Sequence, residues 1–199
     1  MKKGLIIIGV AVLAIVAYFV IAENKDQDEP EANKPVARTG KAHSQSFNAN
    51  TAGMMQDYYK LKAALVAWDT PGINTAIATL VKSMDNVVLD SASTGNTAFN
   101  KTKTHAGTLM QAVGIENQRK AFSSLSVSLF TFLQEEEYSA GKVYKQECPM
   151  AFYDTVAAWW LSDNSEIINP YLGMQHPRYK NAMLHCGEVK DSVAFAALP

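Results

Sequence analysis

Residues 115–137, IENQRKAFSSLSVSLFTFLQEEE, decide the fold, because their apolar side chains recur every three or four positions. This period places the apolar side chains on one face of a helix and predicts that the face is buried. The same period occurs in residues 53–69, in a segment that begins at Thr70-Pro71 and in a segment that Gly114 ends. Four amphipathic helices with short connections predict an up-and-down four-helix bundle. The predicted core positions are Met54, Tyr58, Leu61, Leu65, Trp68, Ile73, Ile77, Leu80, Met84, Val87, Phe99, Ala106, Leu109, Met110, Val113, Ile115, Phe122, Leu125, Leu129, Phe132 and Leu133.

The segment after Gly141 has a different pattern and predicts short strands and loops. Residues 143–148 alternate between apolar and polar side chains, which is typical of a strand. Residues 155–161, TVAAWWL, and residues 183–189 are further strand candidates, and residues 169–173, NPYLG, have turn chemistry. The predicted fold class is therefore mainly α, with a four-helix up-and-down bundle followed by a loop-rich C-terminal segment with short β-strands.

The start of the chain has the composition of an export signal. Residues 4–22 form an uncharged run behind Lys2 and Lys3. A helix of that length spans about 28 Å, close to the thickness of a bilayer core. Basic residues before such a run keep the N-terminus in the cytoplasm, so the rest of the chain is translocated. An uncleaved signal anchor and a cleaved signal peptide both fit residues 1–22. In either case we expect a periplasmic domain, anchored to the cytoplasmic membrane or released by cleavage.

Composition divides the rest of the chain into a linker and one folded domain. Residues 23–52 are polar and show no apolar period, so they predict a flexible linker in which His43 is solvated. Residues 53–199 then form the helical-bundle domain with its C-terminal segment of cysteines and methionines. Within this domain we expect the acidic run 135–137 to be the solvated end of a helix, and His105 to be a structural or surface residue.

Charge and motif content exclude several classes of function. The formal net charge is −1 for the chain and about −3 from Glu23 onward, whereas nucleic-acid binding requires a basic face. Two cysteines, Cys148 and Cys186, are too few for a disulfide scaffold, a four-cysteine zinc site or a four-cysteine iron–sulfur cluster. The sequence contains no glycine-rich phosphate loop and no nucleophile elbow. We therefore expect a non-enzymatic protein without an organic cofactor, which contacts the membrane only through its N-terminal segment.

Sulfur-containing side chains suggest a metal site in the C-terminal segment. Cys148-Pro149-Met150 lies on the first predicted strand, and Cys186 follows in the run 183–187, MLHCG. In an extended chain the side chains of Cys148 and Met150 point to the same face. Thiolate and thioether ligands favour copper(I) over hard cations, and His185 or Met174 would add a ligand.

The two cysteines also allow a second interpretation. In an exported domain such a pair often forms a disulfide, and this one would contribute about 4 kcal/mol in the chain-entropy model. Both interpretations predict that the sulfur atoms of Cys148 and Cys186 lie within a few ångströms of each other. A disulfide predicts oxidised thiols in the purified protein, whereas a metal site predicts that the reduced protein binds copper(I).

Six stretches of the soluble domain carry a family resemblance. They are residues 58–65 (YYKLKAAL), 118–126 (QRKAFSSLS), 147–151 (ECPMA), 160–162 (WLS), 168–173 (INPYLG) and 183–189 (MLHCGEV). In this order they resemble a domain family of unknown function that occurs beside copper and heavy-metal efflux systems and is sometimes fused to adaptor proteins of the CusB type. The resemblance implies periplasmic binding of copper or another heavy metal, with Cys148, Met150 and Cys186 as shared sulfur positions. Residues 175–180 look like an extension of the usual turn, so the resemblance does not support His176 as a ligand.

The expected function follows from the metal interpretation. The protein would capture copper(I) and pass it to an efflux adaptor or another envelope protein. The alternative is a non-catalytic interaction module with a structural Cys148–Cys186 disulfide, in which the surface of the bundle binds an envelope protein.

Overall fold

The computed structural model describes residues 39–196, and this range contains four helices followed by three strands. They are α1 (Gln45–Ala67), α2 (Thr70–Asp85), α3 (Asn96–Gln111), α4 (Ile115–Glu135), β1 (Val143–Phe152), β2 (Val156–Ser162) and β3 (Glu188–Val193). The predicted fold class, mainly α with C-terminal strands, is confirmed. None of the helices in this range combines the length and the hydropathy that crossing a bilayer requires. The predicted signal segment 1–22 lies outside the described residues.

The first two helices begin at side chains that cap their free backbone N–H groups. The hydroxyl of Ser44 accepts a hydrogen bond from the N–H of Phe47 and caps α1. Asp69 does the same for α2 by accepting from Gly72, and Pro71 occupies the first turn. Gly114 precedes α4 with a φ of 82°, so it starts the fourth helix, whereas the sequence pattern predicted that it ends the third.

The domain begins earlier than the sequence pattern predicted. Residues 45–52 belong to α1, and Phe47 is buried in the core, so the predicted boundary between linker and domain at residue 53 is wrong. The first turns of α1 carry few apolar side chains, which is why they show no apolar period. Residues 23–38 of the predicted linker lie outside the described residues.

The predicted helical stripes form the core, with exceptions at the ends of helices. Phe122, Leu125 and Leu129 of α4 are fully buried, and the predicted stripes of α1 and α2 are buried except for Trp68, which follows the end of α1 and is partly buried. Ile115, predicted to be a core residue, is also only partly buried. Met110 and Val113 were predicted to be core residues, but they are 56% and 84% exposed. Because α3 ends at Gln111, Val113 lies in the connection to α4 and is not on a helical face.

The three strands form one antiparallel sheet in the order β2-β1-β3. β1 covers the first predicted strand, and β2 covers the second apart from its first residue. The third was predicted at residues 183–189 but is formed by Glu188–Val193, because residues 181–185 make a turn. The sheet packs on the bundle through β2: Trp160 is fully buried, and the N–H of Trp159 donates to the hydroxyl of Ser123 on α4. These two tryptophans thus attach the C-terminal segment to the bundle.

Candidate functional site

The two cysteines meet beside the sheet. Their sulfur atoms are 2.8 Å apart, and both residues are free thiols. Cys148 is fully buried on β1, whereas Cys186 is half-buried in the segment that leads into β3. The prediction that the sulfur atoms lie within a few ångströms of each other is confirmed. We call Cys148 and Cys186 the thiol pair.

Close backbone packing brings Cys186 to β1. Gly187 has a φ of 142°, a conformation that residues with a side chain rarely adopt. A Cβ atom at Gly187 would lie 2.7 Å from the carbonyl oxygen of Glu147 and 2.7 Å from the ring of Trp160. Glycine at this position therefore lets the chain approach β1 closely enough to place Cys186 against Cys148.

Asn169 organises the other side of the thiol pair. Its side-chain amide donates to the carbonyl oxygen of Cys186 over 2.8 Å, and its amide oxygen accepts from the backbone N–H groups of Tyr171 and Leu172. Asn169 is fully buried. The sequence pattern identified the 169–173 turn from its Asn-Pro dipeptide, but it did not identify Asn169 as a neighbour of the cysteines, because the contact to Cys186 crosses the loop.

Burial controls the ionisation of Cys148. Removal from water raises the pKa of the Cys148 thiol well above its usual range, and the neighbouring Cys186 thiol raises it further. The backbone N–H of Met150 and the side-chain amide of Asn169 lower the pKa of this thiol, but they do not outweigh burial. The Cys148 thiol is therefore protonated at neutral pH in the metal-free, reduced protein, and a metal ion that binds it has to displace its proton.

The methionines of the C-terminal segment differ in burial and in the residues that they contact. Met150 is partly buried against the core that contains Cys148. Met183 is partly buried there too, and its carbonyl oxygen accepts from the N–H of Cys186. Met174 is half exposed, and its backbone N–H donates to Val66 at the end of α1. Met183 is therefore bonded to Cys186 through its main chain, whereas Met174 is bonded to the end of α1.

The two histidines of this segment bond to nearby main-chain groups. Nδ1 of His185 lies 2.9 Å from the carbonyl oxygen of Ile167, so Nδ1 carries the proton and Nε2 is the nitrogen with a lone pair. His176 stacks on Tyr179, and its Nδ1 accepts from the backbone N–H of Arg178. Residues 39–196 contain no group of three or more His, Cys, Asp and Glu side chains arranged to hold a metal ion. A metal site at the thiol pair therefore depends on the two sulfur atoms and on thioether or solvent ligands.

Arg119 of α4 ties the 169–173 turn to the bundle. The arginine is buried, and its guanidinium group donates to the carbonyl oxygens of Pro170 and Leu65, each over 2.9 Å. The guanidinium carbon lies 3.8 Å from the centre of the Trp68 ring. Arg119 thus caps the last turn of α1 and, through Pro170, holds the loop that positions the thiol pair.

A second buried polar group lies at the start of α1, and we call it the His43 cluster, formed by His43, Asp90 and Glu136. Nδ1 of His43 is 3.0 Å from Asp90, and Nε2 is 3.0 Å from the carbonyl oxygen and 3.2 Å from the carboxylate of Glu136. The His43 side chain is 3% exposed, so the prediction of a solvated histidine in a linker is wrong. The prediction of a solvated acidic run is also wrong at Glu136, which is buried, although Glu135 beside it is exposed.

The His43 cluster has a structural role, because its carboxylates bind backbone N–H groups at the starts of two helices. The carboxylate of Glu136 accepts from the backbone N–H groups of Thr94 and Gly95, which precede α3. Asp90 accepts from the N–H of Ser44 over 2.7 Å, at the cap of α1. Hydrogen bonds between groups of the protein therefore let the cluster join the starts of α1 and α3 to the end of α4. His105 is a further structural histidine, with Nδ1 3.0 Å from the hydroxyl of Ser128.

Comparison with known proteins supports only the coarse part of the resemblance. Residues 54–140 match the model of a family described as protein of unknown function (DUF3347). The match covers the four helices from Met54 onward and ends before β1, so both cysteines lie outside it. No curated protein and no solved structure matches the chain. The helical part of the chain is thus similar to a domain family of unknown function, and this match carries no information about copper or efflux adaptors.

Proposed function

We propose that the protein is a non-enzymatic envelope protein that binds copper(I) through Cys148 and Cys186 and supports metal efflux or handling. The observation that supports this proposal is the pair of free thiols with sulfur atoms 2.8 Å apart. Two thiolates favour a soft monovalent ion, and copper(I) is the soft ion that accepts few ligands. The export signal expected at residues 1–22 and the resemblance to domains beside efflux systems agree with a role in the periplasm, where an efflux adaptor or another envelope protein would be the partner.

The surroundings of the thiol pair suit a bound thiolate. The N–H of Met150 and the amide of Asn169 lower the pKa of the Cys148 thiol, and such donors stabilise a metal-bound ligand. Binding an ion between the sulfur atoms requires them to move apart. The sulfur of Cys186 would move by rotation of its half-buried side chain, while hydrogen bonds hold its backbone and Cys148 stays in the central strand. The thioethers of Met150 and Met183 are the nearest candidates for a further ligand.

A reduced-protein titration tests the proposal. Reduced protein should bind one copper(I) per chain in competition with a copper(I) chelator, and binding should release protons as the thiols ionise. Cys148→Ser and Cys186→Ser should each abolish tight binding. Met150→Leu keeps the volume nearly constant but removes the thioether, so it should weaken binding without unfolding the domain. Met174→Leu is the matched control and should bind like the wild type, because Met174 is half exposed at the end of α1. Magnesium should not compete.

The short distance between the two cysteine sulfur atoms also favours a second candidate function. Sulfur atoms 2.8 Å apart need only a small approach to form a disulfide, which would join β1 to the segment before β3. The protein would then be an interaction module whose bundle surface binds an envelope protein. This candidate predicts no free thiols in protein purified without reductant, loss of stability on reduction and indifference to Met150→Leu. Copper(I) affinity of the reduced wild type no higher than that of the double-serine variant would reject the metal proposal in its favour.

A further inference from the structure

We infer that Asn169 is the positioning residue of the thiol pair, because its side-chain amide holds the segment that carries Cys186 against Cys148. The inference concerns a residue that binds no ion itself. It rests on the proposed function where copper(I) is concerned, but it applies equally to disulfide formation, which needs the same placement of the two sulfur atoms.

The orientation of the Asn169 amide is determined by its partners. Its Oδ1 atom faces the backbone N–H groups of Tyr171 and Leu172 at 2.8 and 3.0 Å. Backbone N–H groups only donate, so the atom that faces them has to be the oxygen. The NH2 group therefore faces Cys186 and donates to its carbonyl oxygen, and the same amide lowers the pKa of the Cys148 thiol.

The backbone of Asn169 is held as firmly as its side chain. Its N–H donates to the carbonyl oxygen of Leu184 over 2.8 Å, and its own carbonyl oxygen accepts from Gly173 over 2.9 Å. The next residue, Pro170, accepts from the buried guanidinium of Arg119. Asn169 thus links α4 to the turn that contains Leu184 and Cys186. Loss of its NH2 group should release Cys186 while the 169–173 turn keeps its own hydrogen bonds.

Asn169→Asp isolates the NH2 group. The variant has the same shape and keeps an oxygen for Tyr171 and Leu172, but it puts a carboxylate oxygen against the carbonyl of Cys186 and the sulfur of Cys148. Asn164→Asp is the matched control, because Asn164 is exposed in the same loop and its substitution adds the same charge. Asn169→Ser is a second variant that removes the amide without adding a charge.

Two equilibria measure the effect in the folded full-length protein. In competition with a copper(I) chelator, Asn169→Asp and Asn169→Ser should bind copper(I) about 10- to 100-fold more weakly than the wild type, which is the usual effect of losing a group that orients a ligand. In mixtures of reduced and oxidised glutathione, both variants should need a more oxidising ratio to form the Cys148–Cys186 disulfide, because the thiols are no longer held together. Glutathione disulfide is the oxidant: it takes two electrons from the pair, and two molecules of glutathione leave. Asn164→Asp should change neither equilibrium.

A measurement on the wild type covers the case in which the Asn169 variants do not fold. The side-chain amide signals of Asn169 in nitrogen-15 NMR should shift on Cys148→Ser, and those of Asn164 should not. Folded Asn169 variants with unchanged glutathione equilibria would overturn the inference, as would an Asn169 amide that is insensitive to Cys148→Ser. A wild type without copper(I) affinity would contradict the proposed function alone, because the glutathione and NMR tests do not involve copper.

Discussion

The His43 cluster and the thiol pair are both polar groups inside the protein, but they differ in the charge of their members and in the partners of those members. In the His43 cluster one ring faces two carboxylates, and the carboxylates also accept backbone N–H groups. The thiol pair brings two groups of the same kind together, without a charged partner. Carboxylates that face a histidine ring and backbone donors have a structural role, whereas two neighbouring thiols call for an explanation such as a bound ion or a redox role.

The two sites belong to different parts of the architecture. The His43 cluster joins the start of α1 to the end of α4. The thiol pair lies in the loop and sheet segment that Arg119, near the start of α4, ties to the last turn of α1. α1 has 23 residues and is about 35 Å long, and the contacts that tie the two sites to α1 lie at its opposite ends. We therefore expect substitutions at the two sites to act independently.

The largest effect on stability is expected for His43→Ala. The variant leaves the buried carboxylate of Glu136 and the partly buried carboxylate of Asp90 without the ring that joins them, and removing one member of a buried charged group typically costs about 3–5 kcal/mol. Urea unfolding measures the loss. His105→Ala is the control, since it removes one hydrogen bond to Ser128 and should cost about 1 kcal/mol. Equal losses at both positions would mean that the His43 cluster has no special role.

Asp90→Asn should have an intermediate effect and change the response to acid. Burial on its own would raise the pKa of Asp90, but the N–H of Ser44, the ring of His43 and the N–H of Ala92 outweigh it and hold the pKa well below its usual range. A carboxyl group whose pKa is lowered by folding stabilises the protein above its unfolded pKa of about 3.9. That contribution is lost as the pH falls through the lower pKa of the folded state.

The wild type should therefore lose stability as the pH falls below about 4. Asp90→Asn should be about 2 kcal/mol less stable at neutral pH, because its hydrogen bonds no longer involve a charge, and it should lose less in acid. Urea unfolding at several pH values checks both expectations. Asp85→Asn is the control, because Asp85 is exposed and pairs only with Lys103 in the described structure. A pH profile of Asp90→Asn parallel to that of the wild type would contradict the role of Asp90.

The smallest effect is expected for Cys148→Ser in reduced, metal-free protein. The thiol has no charged partner to lose, and the amide of Asn169 can donate to the new hydroxyl, so the loss should be about 1 kcal/mol or less. With copper(I) present the wild type should become more stable in proportion to its binding, and the variant should not. A loss of several kcal/mol without metal would show that Cys148 is a structural residue like His43.

Local patterns predicted the helices because helices depend on neighbours in the chain. α2 begins at the predicted Thr70-Pro71, and α4 begins at the predicted Ile115. Apolar spacing, capping residues and proline act within one or two turns, so they can be recognised without knowledge of the fold. The start of α1 was missed because Phe47 is almost the only large apolar residue in its first two turns.

The third strand shows where local patterns fail. Residues 183–189 were a strand candidate, but the chain turns at residues 181–185, and the strand is Glu188–Val193, of which only Val193 is buried. An edge strand of this kind is held by backbone pairing with β1, so its side chains carry little signal. Whether a polar segment pairs with a sheet depends on where the sheet edge lies.

The sequence by itself determined the helical faces, the turn at residues 169–173 and the presence of two cysteines in one segment. Only the tertiary structure decided which polar side chains meet. Glu135 and Glu136 are the same residue at adjacent positions, yet one is exposed and the other is buried against His43. Asn169 touches Cys186, although the sequence presents it only as a turn residue. Apolar periods report the environment of a helix face, whereas a contact between distant polar groups depends on how the elements pack, and packing is a property of the whole chain.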